Sequence, residues 1–114
     1  MSRDIARIWR KTAAEARALV DSGRDAMAPV ALLSRLYSEL TDDERHVADA
    51  LLAEDLLSTD SGVRYDALWI VSDLAIESAV PALRALASRL AASTELGATF
   101  ELQKVMRLLQ RFTS

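Results

Sequence analysis

His46 is the residue with the clearest potential for chemistry, because an imidazole can act as an acid, a base or a metal ligand near neutral pH. It is the only histidine, and the chain has no cysteine, which excludes two-histidine metal motifs, thiolate zinc sites and cysteine nucleophiles. Glu44 and Asp49 could join His46 in an oxygen-rich metal site, but a solvated helix residue is the interpretation we favour. We therefore predict no metal and no cofactor.

Other catalytic arrangements are equally hard to build from this sequence. No serine lies in a Gly-x-Ser-x-Gly elbow, and a serine–histidine triad would have to use His46. The glycines do not form a phosphate-binding loop. Neighbouring carboxylates such as Asp42 and Asp43 point in different directions on a helix, so they are poorly placed for paired acid–base work. We predict that the protein is not an enzyme and that it acts by binding.

The charged residues are distributed unevenly along the chain. Residues 1–40 have a net charge of +2, residues 41–79 of −8 and residues 80–114 of +3. An acidic surface attracts and orients a basic partner, so the central segment is a candidate binding surface. The alternative is that these acids are ordinary surface residues, some of which favour the positive ends of helix dipoles.

The basic N-terminal helix is a second candidate surface, for nucleic acid or an anionic membrane. The only aromatic residue among its cations is Trp9, which the periodicity places on the core face, and the whole chain is acidic. We therefore predict neither a nucleic-acid nor a membrane partner. The N-terminus resembles no signal peptide and no apolar run approaches the length of a membrane span, so we expect a cytoplasmic protein. The cations considered are Arg3, Arg7, Arg10, Lys11 and Arg17.

Apolar residues recur at helical spacing along the whole chain, which predicts an all-α fold in one domain covering residues 1–114. Thr41 and Glu44 form a capping box that should start the third helix, and Ser78 can cap the fifth, with Pro81 in its first turn. The predicted helices cover about residues 4–22, 26–40, 41–57, 62–75, 78–90 and 99–112.

The same periodicity assigns core faces to the later helices. On the fourth helix we expect Trp69 to be buried and Tyr65 to be half-buried, although either could be an interface anchor if exposed. The core stripe of that helix is predicted to be Ala67, Leu68, Val71 and Leu74. The core stripe of the sixth helix is predicted to be Phe100, Leu102, Val105, Met106, Leu109 and Phe112.

Residues 60–86 resemble one HEAT-type repeat. The first helix contains Val63-Arg64 followed by Ala67-Leu68, and the second opens with Ala79-Val80-Pro81-Ala82-Leu83. The resemblance implies a short, right-handed HEAT-like array of antiparallel helix pairs. No second copy of the pattern is present, so the flanking helices are expected to cover the repeat.

A narrower resemblance covers about residues 36–112 and ends in a helix that begins Phe100-Glu101 and continues through Lys104, Val105 and Arg107. In this arrangement the chain is similar to the small HEAT-like immunity proteins of bacterial polymorphic toxin systems. The resemblance implies binding and neutralisation of a cognate toxin domain, and toxin domains that attack nucleic acid are commonly basic. The alternative is a HEAT-like adaptor or scaffold that binds a housekeeping protein. The predicted partner-binding residues are Asp42, Asp43, Asp49, Glu54, Asp55, Tyr65, Asp66 and Asp73.

Overall fold

The structure is a computed structural model that describes residues 3–113. These residues form six α-helices and one short 3-10 turn, with no β-strand in the described part, so the predicted all-α fold is confirmed. The α-helices are α1 (Ile5–Asp21), α2 (Ala28–Ser38), α3 (Asp42–Leu56), α4 (Ser61–Leu74), α5 (Val80–Ala91) and α6 (Ala98–Thr113), and the 3-10 turn is Glu77–Ala79.

Backbone contacts divide the chain into two compact units. The first ends at Leu51 and the second begins at Leu52, so the division falls inside α3. The expectation of a single domain stays a prediction.

In the first unit, α1 packs directly against α2. Asp4 caps α1 by accepting a hydrogen bond from the backbone N–H of Arg7 at 3.1 Å. Ile5, Trp9 and Ala16 form the buried face of the helix, and Trp9 is completely inaccessible to solvent. Trp9 therefore lies in the core, as its spacing predicts.

The predicted capping box starts α3. The Thr41 N–H donates to Glu44 Oε1 at 3.0 Å, and the Glu44 N–H donates to Thr41 Oγ1 at 3.3 Å. Arg3 donates to the same carboxylate from Nε at 3.0 Å and Nη2 at 2.9 Å. The hydrogen bond from Arg3, followed by that from the Thr41 backbone, lowers the pKa of Glu44 to about 2. The Glu44 side chain thus joins the start of α3 to Arg3, which lies two residues before the start of α1.

In the second unit, α5 packs directly against α6. Asp60 caps α4 by accepting from the backbone N–H groups of Gly62 and Val63, at 2.8 and 3.3 Å. The predicted cap of α5 is wrong, because Ser78 lies inside the 3-10 turn and Ala79 occupies the cap position without a side-chain bond. Pro81 does lie in the first turn of α5, as predicted.

The core of the second unit is aliphatic, and two predicted members of it lie outside. Phe100 is 74% exposed and Met106 is 52% exposed. The buried face of α6 is centred on Val105, and Met106 is about 100° further around the helix. Phe100 is about 200° around from the buried Ala98, and so lies on the opposite face.

Candidate functional site

Two large aromatic side chains lie exposed on α4. Tyr65 is 44% exposed and Trp69 is 43% exposed, so the expectation that Trp69 belongs to the core is wrong and Tyr65 is more open than predicted. Their rings meet edge to face, with centroids 6.2 Å apart. The buried arc of α4 is formed by Arg64, Ala67, Leu68, Ile70 and Val71, which leaves Trp69 on the opposite side of the helix.

A groove of about 300 Å³ runs between α4 and α6, next to this pair. Leu68 and Leu108, which are 6% and 7% exposed, form its apolar floor. The groove is lined by Tyr65, Leu68, Trp69 and Ser72 from α4 and by Lys104, Arg107, Leu108 and Arg111 from α6.

The α6 wall of the groove is positively charged. Lys104, Arg107 and Arg111 are spaced at i, i+3 and i+7, which places them on one face of the helix. The Lys104 ammonium lies 5.0 Å from the centre of the Tyr65 ring, a cation–π contact. No carboxylate lines the groove within the part of the chain that the structure describes. The site therefore combines an apolar floor, an aromatic rim and three cations.

An ion pair joins the start of α4 to the start of α6. Arg64 donates to Glu101 from Nε at 2.7 Å and from Nη2 at 3.0 Å, a two-point pairing with well-defined geometry. Arg64 also donates from Nη1 to the carbonyl of Ser58 at 2.9 Å, and the residue is only 7% exposed. The hydrogen bond to Glu101 is the main cause of a raised pKa for Arg64, which therefore stays charged.

A second link joins α6 to the end of α4. Arg111 Nη1 donates to the backbone carbonyl of Ser72 at 3.0 Å and to its Oγ at 3.3 Å. The Ser72 carbonyl also accepts from the backbone N–H of Ala75 at 3.4 Å. The C-terminal end of a helix carries partial negative charge, so a guanidinium is favourable there. Arg64 at one end and Arg111 at the other thus connect α4 and α6 by hydrogen bonds at both ends of the groove.

Three of the predicted partner-binding residues lie in the first unit. Asp42 and Asp43 are exposed in the first turn of α3. Asp49 is half-buried and accepts a hydrogen bond from the Tyr37 hydroxyl at 2.8 Å. Burial, and then this bond, raises the pKa of Tyr37 to about 12. The Asp49 carboxylate thus contributes to packing between α2 and α3.

The other five lie in the second unit. Glu54 is exposed and Asp55 half-buried near the end of α3. Asp66 and Asp73 are on α4, about 100° and 80° around the helix from Tyr65, on the flank away from Leu68 and Ser72. The structure therefore brings Tyr65, Asp66 and Asp73 together on one helix. Their role in binding stays a prediction.

Of the eight groove residues, only Tyr65 is in the predicted partner-binding set, and Trp69 was considered as an anchor only if exposed. The three cations Lys104, Arg107 and Arg111 were not predicted to belong to a site. The usable signal was the cation spacing on α6, at i, i+3 and i+7, in the segment with a net charge of +3. The cations lie close to Tyr65 and Trp69 because of the way α4 and α6 pack, and residue spacing within one helix does not predict that packing.

The chemistry considered for His46 finds no support in its surroundings. His46 is exposed on α3. Between Arg3 and Thr113, no group of three or more histidine, cysteine, aspartate or glutamate side chains is placed to hold a metal ion. In the same residues, no helix has both the length and the apolar character needed to cross a membrane.

Comparison with protein-family models finds no match to this chain, and comparisons with curated proteins and with solved structures find none either. The resemblance to HEAT-like immunity proteins therefore stays a prediction.

Proposed function

We propose that this protein acts in the cytoplasm as an immunity protein, which binds a cognate bacterial toxin domain and neutralises it by covering its active site or substrate path. The observation that supports this most is the exposed Tyr65–Trp69 pair on α4. Large aromatic side chains supply much of the binding free energy at protein interfaces, because they bury a large area at a small cost in side-chain entropy. The pair lies on α4, which Arg64 and Arg111 link to α6.

Exposed carboxylates on α3 and α4 support the proposal that the partner is basic. Asp73 is exposed near the aromatic pair on α4, and Asp42 and Asp43 are exposed at the start of α3. Such charges accelerate association with a positively charged domain and disfavour acidic partners. Toxin domains that act on nucleic acid are frequently of this kind, because their substrate is a polyanion.

The second candidate function is a HEAT-like adaptor that binds a housekeeping protein. The observation that favours it is the cationic wall of the groove, where Lys104, Arg107 and Arg111 would repel a uniformly basic partner at the aromatic pair. An adaptor for an acidic or mixed-charge protein meets no such repulsion.

Co-expression with the product of the adjacent gene tests the immunity proposal. We expect the protein to prevent growth arrest by that product and to co-purify with it as a complex that weakens as salt is raised. The variant Asp66→Lys/Asp73→Lys should reduce protection, whereas Glu15→Lys/Asp21→Lys, which reverses two exposed charges on α1, should not. An adjacent product that is harmless, or a housekeeping protein as the specific partner, would replace the immunity proposal by the adaptor.

A further inference from the structure

We propose that the groove between α4 and α6 binds an acidic segment of a partner protein, which inserts a large apolar side chain over Leu68 and Leu108 and places carboxylates against the cations of α6. This inference rests on the proposed role in protein binding, but it does not require that the partner be a toxin.

The dimensions of the groove suit a side chain. A volume of about 300 Å³ is at the lower end of the usual range for small-molecule sites, and the groove is open to solvent. Leu68 and Leu108 form the apolar floor of the groove, so an inserted leucine or aromatic side chain would make apolar contacts there. The edge of Trp69 would form one wall of the filled site.

The positive charges of the groove favour a bound segment that carries carboxylates. Neither Lys104 nor Arg107 has a salt-bridge partner in the described residues, and the contact of Lys104 with Tyr65 is to an aromatic ring. The cations at i, i+3 and i+7 cover about 10 Å along α6, which matches the distance between carboxylates two turns apart on a bound helix. Binding there would neutralise the charges of Lys104 and Arg107, which have no salt-bridge partner among the described residues.

A single-stranded nucleic acid is the competing occupant, since it too combines negative charge with flat apolar surfaces. Two observations disfavour it. Lys104 covers one face of the Tyr65 ring, and the edge-to-face contact with Trp69 restricts both rings as stacking platforms. Asp66 and Asp73 border the aromatic pair on its other flank, where they would repel a phosphate backbone that continues past the groove.

Selection from a library of random 12-residue peptides displayed on phage tests the proposal. We expect the enriched sequences to place aspartate or glutamate on both sides of a leucine, phenylalanine or tryptophan. A synthetic peptide with the enriched sequence, labelled with fluorescein, should bind the protein with an affinity that falls as salt is raised. An oligothymidine of 12 nucleotides, carrying the same label, serves as the nucleic-acid probe.

Two charge-reversal variants distinguish the groove from the overall charge of the protein. Lys104→Glu/Arg107→Glu should weaken peptide binding at least tenfold, and Trp69→Ala should weaken it similarly by removing one wall. Arg24→Glu/Arg84→Glu reverses two exposed cations outside the groove and should leave the affinity within twofold of the original. Thermal melts of each variant verify that the fold is retained.

Several outcomes would overturn the proposal: no enrichment, enrichment of basic or uncharged sequences, undiminished binding to Lys104→Glu/Arg107→Glu, or tighter binding of the oligothymidine. Failure of the toxin-neutralisation experiment alone would leave the peptide result standing, since the display experiment uses only this protein. If no acidic peptide binds the groove but the protein still neutralises the toxin, this inference is wrong and the immunity proposal stands.

Discussion

Arg64 shows how one buried side chain can position a surface site. Its guanidinium makes two hydrogen bonds to Glu101 and one to the Ser58 carbonyl, so it joins α4, α6 and the connection that precedes α4. The Val63-Arg64 pair belongs to the HEAT-like pattern, and Glu101 belongs to the narrower pattern of the last helix. The structure gives both residues a shared role, which is to fix one end of the groove.

Replacement of Arg64 by methionine should destabilise the protein substantially. The change removes three hydrogen bonds and leaves the Glu101 carboxylate, which is 18% exposed, without its partner. We expect a loss of about 2–3 kcal/mol in the free energy of unfolding, measured by urea denaturation.

The double variant Arg64→Met/Glu101→Gln should recover part of that loss, because it leaves no unpaired charge. Arg84→Met removes an exposed arginine from α5 and should change the stability by less than about 0.5 kcal/mol. An Arg64→Met variant as stable as the control would show that the ion pair does not contribute to stability.

The electrostatic environment of Trp69 can be measured by fluorescence quenching. Trp9 is fully buried, so quenching by solutes reports on Trp69. Iodide should be concentrated near Lys104, Arg107 and Arg111, and its quenching constant should fall by roughly twofold at low ionic strength in Lys104→Glu/Arg107→Glu. Neutral acrylamide should quench both proteins equally. Equal quenching by iodide would contradict a positive groove at Trp69.

At the scale of elements, the start of α3 is the part of the fold most clearly encoded in local sequence. Thr41 and Glu44 make both hydrogen bonds of the capping box. The local sequence does not predict that Arg3 also donates hydrogen bonds to the Glu44 carboxylate. That contact joins residues far apart in the chain, and it converts a helix cap into a tertiary contact within the first unit.

The variant Glu44→Gln should reveal a pH-dependent contribution of this contact to stability. Glutamine can still serve in the capping box, so the comparison isolates the charge. Since folding lowers the pKa of Glu44 from 4.5 to about 2, its stabilising effect is fully present above pH 4.5 and is lost as the pH falls towards 2.

The melting temperatures of wild type and Glu44→Gln should therefore differ at pH 7 and converge near pH 2. Glu15→Gln, which removes an exposed carboxylate from α1, should follow the wild type across the same range. A difference between wild type and Glu44→Gln that stayed constant down to pH 2 would show that the Arg3 contact does not act through charge.

Sequence periodicity predicted the helices well and their faces less well. The ends were marked by specific residues such as the cap Asp60 and the proline in the first turn of α5, whose effects are local. The exposure of Trp69 was missed because α4 has apolar residues on both sides, and only packing decides which side is buried. Ile70, absent from the predicted stripe, is buried where Trp69 was expected to be.

At the scale of the whole molecule, the sequence predicted an acidic central surface, whereas the structure places charges of both signs beside the aromatic pair. Tyr65 and Trp69 have carboxylates on one flank and the cations of α6 on the other. The distribution of charge along the sequence indicated the acidic flank. The cations of α6 lie beside the aromatic pair because α4 and α6 line the same groove. A partner that suits both flanks must itself have patches of both signs, which favours specificity over general attraction to charge.

The central claim is that the protein binds a protein partner through the aromatic pair on α4. Isothermal titration of Tyr65→Ala/Trp69→Ala with the product of the adjacent gene tests it most directly. We predict an affinity at least about 100-fold below that of the wild type, because truncation of two aromatic anchors commonly removes several kcal/mol of binding free energy. Thermal melts should remain close to wild type, since both side chains are exposed. Unchanged affinity in a folded double variant would contradict the claim.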